Sequence, residues 1–142
     1  SGTYFILTQI IAKEPTIYVD EMHFTNVIFN LLDNAVKYKH PDRPVELMIK
    51  SWNEGGRLYL SVKDNGIGLK KENLKKIFEK FYRVHTGNVH DVKGFGLGLA
   101  YVKKIVELHK GEIHVESERG KGTTFIISLP EIKSGKQTGA DE

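Results

Sequence analysis

Three polar clusters in this 142-residue chain carry residue types suited to holding a phosphorylated ligand. The first is Asn30-Leu31-Leu32-Asp33-Asn34-Ala35-Val36-Lys37-Tyr38. At about 100° per helical residue, Asn30, Asn34 and Lys37 fall within about 60° of one another. An asparagine amide oxygen is a neutral hard ligand suited to Mg2+, an ion that keeps waters and borrows phosphate oxygens. Lys37 adds positive charge where phosphates would lie. The second cluster is Asp64-Asn65-Gly66-Ile67-Gly68. A carboxylate at a strand end can accept an exocyclic amine such as that of adenine, and two glycines there suggest close backbone approach to a ligand. The third is Gly94-Phe95-Gly96-Leu97-Gly98-Leu99, which opens a helix. Such an entry exposes backbone N–H groups and partial positive charge to phosphate. Together they read as a nucleotide site without a P-loop.

Each cluster taken alone also has an ordinary reading. The first is equally a plain amphipathic helix, the second a type I′ turn, the third a flexible hinge. The third has GxGxG spacing, not GxGxxG, because position 99 is Leu, and no GxxxxGK[ST] occurs. His23, His40, His85, His90, His109 and His114 show no paired ligand spacing and read as surface or internally satisfied side chains. Trp52, Tyr59 and Tyr101 read as packing residues. Arg83 follows the aromatic pair Phe81-Tyr82 and leads into residues 86–93, which lack periodicity and read as a mobile loop.

The elements that must position these clusters follow from hydrophobic periodicity. Loose alternation predicts strands over 4–12 and 16–19. Asp20 is placed to cap a helix reaching about residue 39, with Phe24, Val27, Ile28, Leu31, Leu32 and Ala35 as its core stripe. His40-Pro41-Asp42-Arg43-Pro44 stops it. Strands over 45–52 and 58–63 form a hairpin, a charged helix spans 71–81, and another spans 95–110 with Gly111 at C′. A second hairpin joins 112–117 to 124–129 around Arg119-Gly120-Lys121-Gly122. Residues 131–142 are polar and expected to be a disordered tail. Ser1-Gly2-Thr3 reads as a tag-cleavage remnant.

Composition narrows the class. The length suits one domain, and 39% hydrophobic residues suffice for one core. A net charge of +3 favours anionic ligands but gives no case for nucleic acid. The absence of cysteine excludes disulfides and thiolate metal sites. No apolar run approaches the ~20 residues of a membrane span, and no signal peptide is visible.

In this order the motifs resemble the catalytic and ATP-binding domain of a sensor histidine kinase. Residues 30–38 resemble its N box and 64–69 its G1 box. Phe78-Glu79-Lys80-Phe81-Tyr82-Arg83 resembles the F box, 94–100 the G2 box, and Gly120-Lys121-Gly122-Thr123-Thr124-Phe125 the final glycine-threonine motif. The resemblance covers residues 4–130. It implies an α+β, two-layer α/β sandwich, the Bergerat fold, with one mixed sheet of about five strands and helices on one face. It implies ATP and Mg2+ as ligands. Asn34 would bind the metal, with Asn30 one turn before it. Lys37 and Tyr38 would reach the phosphates, and Arg83 the γ-phosphate. Asp64 would bind the adenine amine, with Gly66 and Gly68 near the base and Thr123 on the floor. Residues 83–97, including Gly94, Gly96 and Leu97, would form a lid leading into Gly98 and Leu99.

The implied partners are a dimerisation domain of the same parent protein, which carries the phosphoacceptor histidine, and a response regulator downstream. Neither nucleic acid nor membrane contact is implied for this domain, which would be cytoplasmic even in a parent anchored in the inner membrane. None of the six histidines lies in the H-[ED]-x-x-x-P setting of the acceptor. The family's helix before the first strand has no counterpart here, which predicts an uncovered patch of sheet and lowered stability or self-association. Three alternatives stand beside this reading, one of them a serine-directed anti-sigma kinase, whose F box is usually less developed than this one. A gyrase- or Hsp90-like ATPase would carry a glutamate at Asn30 to activate water, and an amide cannot serve as that base. A pseudokinase would bind nucleotide only to mediate contacts.

Overall fold

The computed structural model describes the backbone of residues 4–10 and the full structure of residues 20–79 and 98–131. The elements are β1 (Tyr4–Ile10), α1 (Glu21–Lys37), β2 (Val45–Glu54), β3 (Arg57–Asp64), α2 (Lys71–Leu74), α3 (Gly98–Leu108), β4 (Glu112–Glu118) and β5 (Gly122–Pro130). The strands form one sheet in the order β1-β2-β3-β5-β4. β1 runs parallel to β2, and every other pairing is antiparallel. The sheet is therefore mixed and five-stranded, as expected.

Alternation along the strands decides where the helices go. Val62 of β3 and Phe125, Ile127 and Leu129 of β5 share one face. They pack with Val27 and Leu31 of α1 and Val102, Ile105 and Val106 of α3 in one buried cluster. Ile77 joins that cluster, and Phe78 meets Phe125 edge-on, so residues 75–79 lie on the same face as the helices. The opposite face carries Trp52 stacked on Tyr59, ring centroids 5.3 Å apart and 4° from parallel. This is the expected α/β sandwich. Leu31 is 1% exposed at the centre of the core. Leu31→Ala should cost about 2–5 kcal/mol, the usual toll of a large-to-small change in a packed interior. Urea denaturation checks this, and a loss below about 1 kcal/mol would mean the site relaxes into the void.

Helix α1 begins as the sequence suggests, with the Asp20 carboxylate accepting the His23 N–H at 3.0 Å. It ends at Lys37, two residues short of the expected end, because the chain turns at Tyr38, whose carbonyl accepts the Ile67 N–H at 3.0 Å. The opposing ends of α1 and α3 meet where His109 Nε2 accepts the Asp20 N–H at 2.8 Å.

Two local expectations are corrected. Helix α2 covers four residues, not 71–81. Lys70 at its N-cap makes no side-chain capping bond, and Asn73 is a weak helix former. From there Lys76 N–H bonds Asn73 and Glu79 N–H bonds Lys76, i→i+3 contacts that tighten the chain into turns. At the end of α3, Gly111 is not C′. Lys110 takes the left-handed conformation (φ 63°), and Gly111 N–H reaches back to the Val106 carbonyl at 2.9 Å in a Schellman arrangement. Gly111 is needed for space: a Cβ there would lie 2.4 Å from the Ser128 carbonyl. The strand expected over 16–19 lies outside the described residues.

Candidate nucleotide site

Helix α1 carries the first set of side chains along its flank. Asn30 donates from Nδ2 to the Asn26 carbonyl at 2.7 Å. Its Oδ1 faces the start of α3, 3.1 Å from where a Cβ on Gly98 would stand. The N-terminus of α3 is thus seated directly on Asn30, and Leu99 packs onto the core beside it. One turn on, the Asn34 side chain makes no hydrogen bond to another described residue. The Lys37 ammonium rests 3.0 Å from Asp33 Oδ2, one turn back on the same helix. This half-exposed pair is weak enough for a phosphate to compete with Asp33. Among the described residues no three His, Asp or Glu side chains converge as a metal cage. A Mg2+ ion suits such a place when a ligand supplies most of its oxygens.

The second half of the site lies where β3 ends. Asp64 Oδ1 accepts the Gly66 N–H at 2.8 Å and the Thr123 N–H at 3.2 Å. No donor among the described residues reaches Oδ2. Burial pushes the Asp64 carboxyl above the ordinary carboxylate value, and the two backbone bonds only partly offset that. A partly buried carboxylate with one oxygen fixed and no described donor on the other is suited to accept from a ligand.

The glycines explain why the loop can sit there, and the reason differs from the expected one. Their close approach is to protein backbone. A Cβ on Gly66 would lie 2.4 Å from the Tyr38 carbonyl, and one on Gly68 (φ +73°) would lie 2.1 Å from the Glu118 carbonyl. Tyr38 contributes its backbone to the site in this way. Thr123 is buried, and its hydroxyl lies 2.8 Å from Ser117 Oγ. Ser117 also accepts the Leu69 N–H at 2.7 Å and donates to the Gly122 carbonyl. Asn30 and Tyr38 are separated by about 12 Å of helix. The site therefore has a phosphate-suited end at Asn30, Asn34 and Gly98 and a base-suited end at Asp64. Arg83, Gly94, Gly96 and Leu97 lie outside the described residues.

Comparison with known proteins identifies the family. Residues 19–133 match the profile of the histidine kinase-, DNA gyrase B- and HSP90-like ATPases. The chain belongs to this ATPase family. The sensor protein RprX of Bacteroides fragilis is 67% identical over 102 residues, 72% of this chain and 20% of its own length. This ATPase-family chain thus spans about a fifth of that curated relative. Among solved structures, the catalytic domain of histidine kinase ThkA superposes with a TM-score of 0.73 at 26% identity, covering 90% of this chain and 79% of that one. Full-length ShkA in complex with AMPPNP gives 0.75 at 30% identity, covering 92% of this chain and 26% of that one. No helix among the described residues is long and apolar enough to cross a membrane.

Sequence reasoning missed two residues that the structure brings to this candidate site. Ser117 stands at an inward position of β4, after Ile113 and Val115, where alternation calls for an apolar side chain. That mismatch was a usable signal. Arg43 was read only as part of a helix stop, and nothing in its neighbours marks it.

Proposed function

We propose that this domain binds Mg-ATP and transfers the γ-phosphate to a histidine on a separate dimerisation domain of its parent protein, which passes it to a response regulator. The observation carrying this reading is Asp64, a partly buried carboxylate with Oδ1 held by Gly66 and Thr123 and no described donor on Oδ2. It suits the adenine amine, and the seat of α3 on Asn30, about two turns back along α1, is placed to meet phosphate. Ligation of an ATP analogue by the ShkA relative supports it.

In this reading Asn34 holds Mg2+, which neutralises triphosphate charge when bound. Lys37 exchanges Asp33 for a phosphate oxygen, and the N–H groups at the start of α3 face the phosphates. Tyr38 and Arg83 complete the phosphate contacts. Catalysis is then mostly positioning and charge stabilisation. The Asn30 amide cannot take a proton from water, which favours transfer over hydrolysis.

Incubating the chain with γ-labelled ATP should give little phosphate release and no acid-labile label on itself. Adding the parent's dimerisation domain should give acid-labile label on that domain. Robust phosphate release by the chain alone would favour an ATPase motor, and tight binding without any transfer a pseudokinase. Asn34→Ala should leave the fold intact and bring the ratio of ATP affinities with and without Mg2+ toward one. If calorimetric titrations still differ as in the wild type, the metal lies elsewhere.

A further inference from the structure

Arg43 holds three backbone carbonyls from two distant parts of the chain. Its Nε donates to the Asn65 carbonyl at 2.9 Å. Its Nη2 donates to the Gly66 carbonyl at 3.3 Å and to the Gly120 carbonyl at 2.7 Å. Three carbonyl dipoles aimed at one point repel unless a cation sits among them. A guanidinium, with donors on a rigid planar fork, can serve all three, whereas a lysine ammonium is a single mobile point.

The same short segment grips Asn65 from other sides. Asn65 Nδ2 donates to the Pro44 carbonyl at 3.0 Å, and Asn65 Oδ1 accepts the Glu46 N–H at 2.9 Å. Residues 43–46 therefore brace the loop after β3. Gly66 is then fixed at both ends, its N–H on Asp64 Oδ1 and its carbonyl on Arg43. Glycine crosses φ/ψ space freely, so a loop with Gly66 at its centre needs such a brace to keep one orientation. If the Gly66 peptide turned, Asp64 would lose a bond to Oδ1, and its open oxygen would no longer point one way.

We infer that Arg43 is a positioning residue for base recognition: it pins the loop 65–66 to the β4–β5 turn and so holds Asp64 aimed at the nucleotide. This rests on the assignment of Asp64 to the base. Arg43 itself touches no ligand.

The test uses Arg43→Ala and Arg43→Lys, with ATP titrated by calorimetry and backbone amide exchange followed at Gly66, Ile67 and Gly120. Arg43→Ala should bind ATP about tenfold more weakly or worse, the scale of losing bonds to a charged donor. Exchange at those amides should rise while the core helices α1 and α3 stay protected. Arg43→Lys should remain weak. Millimolar guanidinium chloride, far below denaturing levels, should restore much of the affinity of Arg43→Ala, and equal sodium chloride should not. A merely structural arginine would give a loss that tracks global stability and ignores guanidinium, and that result overturns the inference. So does wild-type affinity in either variant. If the wild-type chain itself binds no ATP, the proposed function fails first. Should Arg43→Ala not fold, the Arg43→Lys titration and exchange pattern still decide.

Discussion

Asp64→Asn should remove most ATP affinity and yet leave the ligand-free fold at least as stable as before. The asparagine can keep its Oδ1 on the Gly66 and Thr123 N–H groups, because that oxygen only accepts. Its other terminus becomes an NH2 group, which would face the adenine amine donor to donor. Losing a charge-assisted acceptor costs on the order of 1–3 kcal/mol, roughly five- to 150-fold in affinity.

The stability side follows from the direction of the Asp64 shift. Burial raises its folded-state pKa above the ordinary carboxylate value, which the unfolded chain keeps. Between the unfolded and folded values the native chain binds more protons than the unfolded one, so stability falls as pH rises through that window. Above the window the full penalty persists, and below it none remains. Asp64→Asn removes the penalty. Its melting temperature should match the wild type in acid and equal or exceed it at neutral pH. Calorimetric ATP titration and melting curves across pH check both halves. Equal ATP affinity in the two proteins would remove Asp64 from the base site, and a neutral-pH melting point well below wild type would contradict the burial argument.

Gly122→Ala should be among the most damaging single-methyl changes at the described glycines. Gly122 has φ +134°, and a Cβ there would lie 2.0 Å from the Asp64 carbonyl and 2.9 Å from Asn65 Cα. Both neighbours are backbone, so no flexible side chain can yield. Strain of about 1–3 kcal/mol and overpacking of about 1–3 kcal/mol together approach the total stability of a marginal domain. Gly120→Ala is the internal control, since its φ is +85° but no atom lies within 4 Å. It should cost only the backbone term. Urea denaturation of both separates strain from collision, and equal losses would show that the contact with Asp64 does not matter. Gly122→Ala should also weaken ATP binding wherever it remains folded, because the displaced strand end carries Asp64.

Much of this was legible in the chain because the strongest signals are local. The stripe of Val27, Leu31 and Ala35 marked α1, and Asp20 marked its start. The alternation in β5 marked a strand with one buried face. What stayed hidden was set by contacts across the fold. The residues 71–81 have helical periodicity, but Ile77 and Phe78 reach the core through tight turns. Gly66 and Gly68 looked like glycines for a ligand and Gly122 like a hairpin glycine, and they make room for carbonyls of Tyr38, Glu118 and Asp64. Arg43 could not be found at all, since its three acceptors lie 22, 23 and 77 residues away.

The Trp52–Tyr59 stack lies on the face of the sheet that binds nothing in this scheme. It also joins directly opposed residues of β2 and β3. In an antiparallel pair a slip of one residue turns every side chain to the other face. Such a slip in β3 would send Val62 outward and take Asp64 with it. The two rings, large and tightly paired, make that slip expensive. They act as a register lock: a pair of side chains remote from the ligand decides which side of the sheet the recognising carboxylate faces.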